Sequence, residues 1–139
     1  MNTIFLDVDG VLNKFSDYDV LLDDGYFRIN RKLLERFLTL VKDTESQVVL
    51  SSSWRKLDGG RAFLEKLGIT FVGETDGYGR FRGDEIQRYI DSHNITSYVI
   101  LDDDSDMLEH QKVNFVQTDP EYGLTETLAY RAAYKLGVR

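Results

Sequence analysis

Two aspartates near the N-terminus, Asp7 and Asp9, follow a run of apolar residues and precede Gly10. In a β-strand, residues two apart point to the same side, so both carboxylates can converge on one spot just beyond the strand. Neighbouring carboxylates repel each other, and a hard divalent cation or a shared proton must offset their charge. The same residues are also common in turns. The stretch therefore indicates either a metal-dependent acid pair or a solvated turn.

Two further apolar runs also end in polar residues. Residues 47–50 are followed by Ser51, and residues 98–101 are followed by Asp102 and Asp103. Because parallel strands present their C-terminal ends on one side of a sheet, these residues should meet the N-terminal acid pair there. Convergent carboxylates favour an oxygen-ligated Mg²⁺ site, and a bound cation would attract a phosphate.

The overall composition is typical of one globular domain, residues 1–139, with 42% hydrophobic and 29% charged residues. The chain has no cysteine and only two histidines, so oxygen atoms must supply most metal ligands, which favours Mg²⁺ over Zn²⁺. A net charge of −7 argues against a general nucleic-acid-coating protein. No signal peptide or membrane-spanning run is visible, and nothing indicates an obligate protein partner. We therefore expect a cytoplasmic protein without membrane association.

Strands and helices alternate along the chain, which predicts an α/β fold with a parallel sheet. The predicted strands are residues 3–8, 47–50, 69–72, 98–101 and 114–117. Helices are predicted from Asn30 to about Asp43, near residues 58–67, from Asp84, and after Thr125. Residues 13–29 carry aromatic side chains, including Tyr18, and an Asp-Gly turn between apolar pairs, so they predict a small β-flap.

The motifs, taken together and in order, resemble those of the haloacid dehalogenase (HAD) superfamily of phosphotransferases. They are Asp7-Val8-Asp9-Gly10, then Ser51, then a basic residue opening a helix, then Asp102-Asp103. The chain is similar in particular to the small capless phosphatase domains of that superfamily, including those of nucleic-acid repair proteins. The resemblance implies a three-layer α/β/α, Rossmann-like sheet whose strands, counted along the chain, lie in the order 5-4-1-2-3. The intervals between motifs leave no room for a folded cap domain, so the site should be open.

The resemblance also implies a role for each acid. Asp7 would be the nucleophile that forms an aspartyl-phosphate, and Asp9 would be the general acid and then the general base. Asp7 and the backbone carbonyl of Asp9 would bind Mg²⁺ as well. Asp103 would ligate the ion directly with Asp102 beside it, although these last two roles could be exchanged.

The remaining implied roles concern the phosphate and the rest of the substrate. Ser51 would donate a hydrogen bond to a phosphoryl oxygen, and Arg82 would be the cation beside the phosphate, with Arg80 and Lys56 as alternatives. Basic residues interleaved with Trp54 and other aromatic residues flank the predicted site, so they could hold a base and its phosphates. Further substrate contacts are expected from Gly10, Ser52, Ser53 and Arg55.

The leading hypothesis is thus a Mg²⁺-dependent phosphatase for a phosphorylated small molecule, a nucleotide or a nucleic-acid end. A receiver-like phospho-acceptor domain is disfavoured, because its acceptor aspartate would follow the third strand, where this chain has Val72 and Gly73. A metal-dependent nuclease would also account for the Asp-x-Asp pair. A catalytically silent binding module would account for the fold without the reaction.

Overall fold

The protein is described here by a computed structural model that covers residues 1–17 and 21–138. The strands are β1 (Thr3–Leu6), β2 (Leu21–Asp23), β3 (Arg28–Asn30), β4 (Gln47–Leu50), β5 (Phe71–Glu74), β6 (Tyr98–Asp102) and β7 (Phe115–Gln117). The helices are α1 (Arg31–Thr44), α2 (Gly60–Lys66), α3 (Arg82–His93) and α4 (Glu126–Lys135), with 3₁₀ turns at Ser53–Lys56 and Glu109–Asn114. Within the described residues, none of the helices has the length and apolar character needed to cross a bilayer.

Five of the strands form one parallel sheet in the order β5-β4-β1-β6-β7. Numbered along the chain among these five, the order is 3-2-1-4-5, which read from the opposite edge is 5-4-1-2-3. The predicted α/β architecture is therefore confirmed, with the first strand in the middle. β1 lies between β4 and β6. Such a central position explains why its sequence is almost continuously apolar.

The two faces of the sheet have separate cores. Ile4 and Leu6 of β1 belong to a large cluster formed with residues of α1, α2 and α4. Phe5 points to the opposite face and joins a smaller cluster with Ile86 and Ile90 of α3. The alternation of side chains along β1 therefore produces the helix–sheet–helix layering.

Several element boundaries differ from the predictions. β1 ends at Leu6, since the chain then turns and both Val11 and Leu12 donate backbone hydrogen bonds to the carbonyl of Val8. The third strand of the sheet spans residues 71–74 instead of 69–72, because the N–H of Ile69 still closes the end of α2. α3 begins at Arg82 instead of Asp84, a shift that brings this arginine into the first helical turn.

The predicted flap after the first strand is an antiparallel hairpin of β2 and β3. Its turn is closed by Asp24, whose Oδ1 atom accepts hydrogen bonds from the N–H groups of Tyr26 and Phe27. Residues 18–20, including Tyr18, lie outside the described residues. In the described part of the chain, this hairpin is the only regular structure between β1 and α1, which leaves the carboxyl edge of the sheet without a cap.

Asn30 begins α1 and also ties it to the preceding loop. Its Oδ1 atom accepts a hydrogen bond from the N–H of Leu33 (3.1 Å), and its Nδ2 atom donates to Asp17 (2.7 Å). We expect Asn30→Ala to lower the free energy of unfolding by about 1–2 kcal/mol, because an N-cap is lost at a buried position. Urea unfolding followed by circular dichroism measures this change. Asn30→Ser should recover part of the loss, and equal stability of wild type and Asn30→Ala would contradict the prediction.

Candidate functional site

Three neighbouring strands end side by side at the carboxyl edge of the sheet. β1 is paired in register with β4 and β6, so Asp7, Ser51 and Asp102 occupy adjacent positions. The backbone ladder continues to this level, since the N–H of Asp7 donates to the carbonyl of Leu101 (2.9 Å) and the N–H of Ser51 donates to that of Leu6 (2.8 Å). The main chain therefore fixes the position of the Cα atom from which each of these side chains extends.

Asp7, Asp102 and Asp103 form a carboxylate triad, with one oxygen atom of each residue within 4.8 Å of the others. Asp7 and Asp102 are buried, and Asp103 is half-buried. Asp103 lies directly against Gly10, where a Cβ atom would come within 2.4 Å of its Oδ2 atom. Gly10 also has a φ of +82°, which glycine adopts more readily than other residues. A larger residue at this position would therefore displace the Asp103 carboxylate from its place in the triad.

The triad carries more negative charge than its surroundings neutralise. Burial, followed by the charge of Asp102, raises the pKa of Asp7 well above its usual range, although Arg82 opposes this shift. Burial also raises the pKa of Asp102, against the lowering effect of Arg82. Three clustered carboxylates, of which Asp7 and Asp102 have a disfavoured charged form, match the ligand set of a hard divalent cation. The residues present therefore fit Mg²⁺.

Arg82 is the cation that lies among these acids. Its Nη1 atom donates to Asp7 Oδ1 (3.2 Å), to Asp102 Oδ2 (3.1 Å) and to the carbonyl of Ser51. The backbone N–H of Arg82 donates to Asp106 (2.9 Å), which fixes the first turn of α3 against the loop after β6.

The two alternative cations lie elsewhere. Arg80 is exposed and lies over the ring of Phe81, with 5.4 Å between its guanidinium carbon and the ring centroid. Lys56 is also exposed, and its Nζ atom donates to the carbonyl of Gly77 (3.3 Å). Of the three candidates, the structure thus brings only Arg82 to the triad.

Glu85 is a buried acid that connects α3 to the loop after β4. It accepts hydrogen bonds from Arg55 Nη2 (3.1 and 3.3 Å) and from the N–H of Gly79 (3.2 Å), and its carboxylate lies 3.9 Å from Nε of Arg82. Arg55 also donates to the carbonyl of Ser52 (2.7 Å). Arg55 therefore braces the site in this structure, and its expected contact with substrate stays a prediction.

The three serines after β4 have different environments. Ser51 is buried, and its hydroxyl has no hydrogen-bond partner within the described part of the chain. Ser52 is buried as well, but its Oγ atom accepts a hydrogen bond from the N–H of Trp54 and so caps the 3₁₀ turn. Ser53 is exposed. A buried hydroxyl normally has a partner, so within the described residues Ser51 is the serine with an unused buried donor. Its expected hydrogen bond to a phosphoryl oxygen stays a prediction.

Asp9 lies beside the triad and is held by two side chains. Its Oδ1 atom accepts a hydrogen bond from Asn13 Nδ2 (2.9 Å), and its Oδ2 atom accepts one from Trp54 Nε1 (3.1 Å). Trp54 is itself buried against Phe27 of the flap and Phe63 of α2, with ring centroids 4.8 and 6.5 Å away. The carboxylate of Asp9 is not a member of the triad, and the expected metal contact through its carbonyl stays a prediction.

Asn13 and Glu85 are site residues that the sequence did not reveal. The sequence placed Trp54 beside the site as one of the aromatic residues that could hold a base, but its ring is buried and its indole N–H donates to Asp9. Trp54 is 45 positions away from Asp9, so no local pattern indicates their hydrogen bond. Glu85 follows Arg82 by three positions on one helix, a spacing that places the two side chains together and was available as a signal.

A cleft of about 460 Å³ opens beside Asp9 and Asp103. Its walls include the flap residues Tyr26 and Arg28 and, from the loop after β1, Phe15. We refer to this space as the flap cleft. A molecule bound in the flap cleft, between the sheet edge and the flap, would therefore lie next to Asp9.

Comparison with known proteins identifies the family of this chain and a solved structure with a similar fold. Residues 3–129 match the family model described as the HAD domain in Swiss Army Knife RNA repair proteins. The fold is similar to that of a HAD superfamily (subfamily III A) hydrolase from Legionella pneumophila, with a TM-score of 0.50 and 17% identity over 97% of this chain and 84% of that chain. No curated protein matches the sequence.

The triad predicts a pH-dependent affinity for divalent cations. Carboxyl groups with a raised pKa retain protons that a cation must displace, so we expect Mg²⁺ to bind more tightly as the pH rises from about 6 to about 8. Titration calorimetry measures the affinity, and the Mg²⁺-induced rise in melting temperature provides an independent measurement. Asp102→Asn should weaken binding strongly, whereas Asp104→Asn, an exposed neighbour outside the triad, should not. An affinity that is equal at both pH values would contradict this interpretation.

Proposed function

Because the chain belongs to the HAD domains of Swiss Army Knife RNA repair proteins, we propose that this HAD-type hydrolase is a Mg²⁺-dependent phosphomonoesterase that works through an aspartyl-phosphate on Asp7. The proposal depends on one observation, namely that a carboxylate triad, the guanidinium of Arg82 and the hydroxyl of Ser51 converge at adjacent strand ends, where this hydroxyl has no partner among the described residues. This combination supplies a nucleophile together with the positive charge and the donor that a phosphate requires.

Asp7, Asp102 and Asp103 are the residues that would hold Mg²⁺. When bound, the ion supplies positive charge that lowers the repulsion between a phosphate and the carboxylate of Asp7. Arg82 adds a second positive charge at the same place and, unlike lysine, a planar group with several donors for phosphoryl oxygens. Ser51 contributes a hydroxyl donor from the neighbouring strand end.

In the first step, a carboxylate oxygen of Asp7 attacks phosphorus. A bond forms between that oxygen and phosphorus while the bond from phosphorus to the ester oxygen breaks. Asp9 donates its proton to the departing oxygen, which leaves as an alcohol. In the second step, water transfers a proton to Asp9 and its oxygen attacks the phosphorus of the aspartyl-phosphate, while the bond from phosphorus to the Asp7 oxygen breaks. Inorganic phosphate is released, Asp7 returns as a carboxylate and Asp9 is again protonated.

Trp54 and Asn13 act as positioning residues in this scheme. Both donate to the carboxylate of Asp9, so they fix its direction relative to the nucleophile. Because Trp54 packs against Phe27, the flap supports this orientation from outside the sheet.

The substrate we propose is a phosphorylated RNA end. The family that matches this chain is a domain of RNA repair proteins. Among the described residues, the segments that follow the strands at the carboxyl edge are a small flap, short turns and loops instead of a folded cap domain, so a large molecule can approach this edge. A screen of phosphorylated metabolites, nucleotides and end-phosphorylated oligonucleotides, read out as released phosphate with Mg²⁺ or with EDTA, tests the proposal.

Replacement of the nucleophile gives the most direct test. We expect Asp7→Asn to reduce phosphate release by at least about a thousandfold while the circular dichroism spectrum is unchanged, because the covalent step is lost. Asp104→Asn is the matched control and should retain wild-type activity. Full activity of Asp7→Asn would contradict the mechanism, and cleavage of an oligonucleotide backbone without phosphate release would indicate a nuclease instead.

The role of Trp54 can be separated from a purely structural one by changing the leaving group. We expect Trp54→Phe to lower kcat/KM, which reports the first step, for a sugar phosphate by about tenfold or more, since protonation by Asp9 contributes on the order of a hundredfold or more for a poor leaving group. The nitrophenolate released from nitrophenyl phosphate departs without protonation, so kcat/KM for that substrate should fall much less.

Phe63→Leu provides the control for this experiment. It disturbs the same aromatic packing but leaves the indole hydrogen bond to Asp9 in place, so both substrates should respond equally. Equal losses for the two substrates in Trp54→Phe would show that Trp54 only stabilises the fold.

A further inference from the structure

The flap cleft is the space that the leaving group of the substrate must occupy. This step depends on the proposed function, in which Asp9 donates its proton to the departing oxygen. Asp9 and Gly10 line the flap cleft, as does Asp103 of the triad. The group attached to the phosphate therefore extends from the triad into this cleft, toward the flap.

The outer walls of the flap cleft carry two unusually exposed rings. Phe15 is 80% exposed and Tyr26 is 73% exposed, although large aromatic side chains are normally well covered. Tyr26 is supported from behind by Phe27, which contacts it edge-on with ring centroids 4.9 Å apart. Exposed rings that line the same cleft are the groups on which nucleic-acid bases stack.

Cationic side chains line the same cleft. Lys14 and Arg28 both contribute to its walls, and three acids lie there as well, namely Asp9, Asp17 and Asp103. Arg28 is paired with Asp23 at 3.4 Å, but the two side chains are 58% and 40% exposed, and such a surface pair is weak enough to exchange for a phosphate. Rings and cations together match the alternating bases and phosphates of a single strand.

We propose that the flap cleft binds the nucleoside that carries the scissile phosphate, and that Phe15 and Tyr26 stack against its base. The volume of about 460 Å³ lies within the range of small-ligand sites, so one nucleoside rather than a helical duplex is the expected occupant. Stacking is tolerant of base identity, and this cleft should therefore distinguish nucleosides from other alcohols rather than one base from another.

A matched pair of substrates isolates the contribution of the base. A nucleoside monophosphate and a ribose phosphate esterified at the same hydroxyl have the same leaving oxygen and differ only in the base. The second pair is a single-stranded RNA oligonucleotide whose phosphorylated terminal residue is either intact or abasic. We expect the wild-type protein to have a kcat/KM about tenfold or more higher for the member with a base, mainly through KM. The two pairs distinguish a free nucleotide from an RNA end as the source of the nucleoside.

Variants then assign this preference to the two rings. In the double variant Phe15→Ala/Tyr26→Ala, we expect the ratio of kcat/KM values with and without the base to fall toward one. Tyr130→Ala is the matched control, because Tyr130 is 71% exposed but belongs to α4 and does not line the flap cleft. A preference for the base that survives in the double variant would overturn the proposal. So would a phosphotyrosine peptide that is hydrolysed with a higher kcat/KM than every nucleotide.

A binding measurement separates this proposal from the proposed function. Fluorescence anisotropy of the same labelled oligonucleotides is recorded with the Asp7→Asn protein in the presence of Mg²⁺, with and without the Phe15→Ala/Tyr26→Ala changes. Tighter binding of the intact end, lost in the triple variant, supports the nucleoside site even if the wild-type protein releases no phosphate. Hydrolysis of both ends with equal binding overturns the nucleoside site and leaves the phosphatase activity in place.

Discussion

The constraint on which the site depends is the concentration of negative charge at the carboxyl edge of a parallel sheet. In-register pairing of β1 with β4 and β6 forces Asp7 and Asp102 together in a buried position. The backbone ladder continues past the ends of the strands, so the main-chain positions of both acids are fixed. A cation must therefore lie close to these two acids, and the neighbouring elements position one there.

The first turn of α3 is the element that delivers the protein's own cation. Arg82 is fixed through its backbone by Asp106 and through its side chain by the two acids. Glu85, one turn further along, holds Arg55 and thereby ties α3 to the loop that carries Ser51. The polar contacts around the triad thus form one connected network, and loss of a member leaves a buried charge without its partner, which is costly.

Sequence periodicity was sufficient to identify the strands of the sheet and the meeting of Asp7, Ser51 and Asp102, because parallel strands and a period of two determine these features. Arg82 could be selected because a helix start follows it. The sequence did not reveal the hydrogen bond between Trp54 and Asp9 or the burial of Arg55 against Glu85, since each joins side chains that only the tertiary fold brings together. The predicted start of the third strand at Ile69 was wrong, because the N–H of Ile69 closes the end of α2 and an apolar residue is equally common in that setting. The roles of Asp9, Arg55 and the serines toward a substrate stay predictions.

The close approach of Gly10 and Asp103 limits which amino-acid substitutions this domain can accept at these two positions during evolution. The volume that a side chain at position 10 would need is already filled by the carboxylate of Asp103. The two positions are therefore sterically interdependent, and a larger residue at position 10 would force the Asp103 carboxylate to move. Covariation of these two sites among homologues would thus report the geometry of the edge, independently of any change in the reaction.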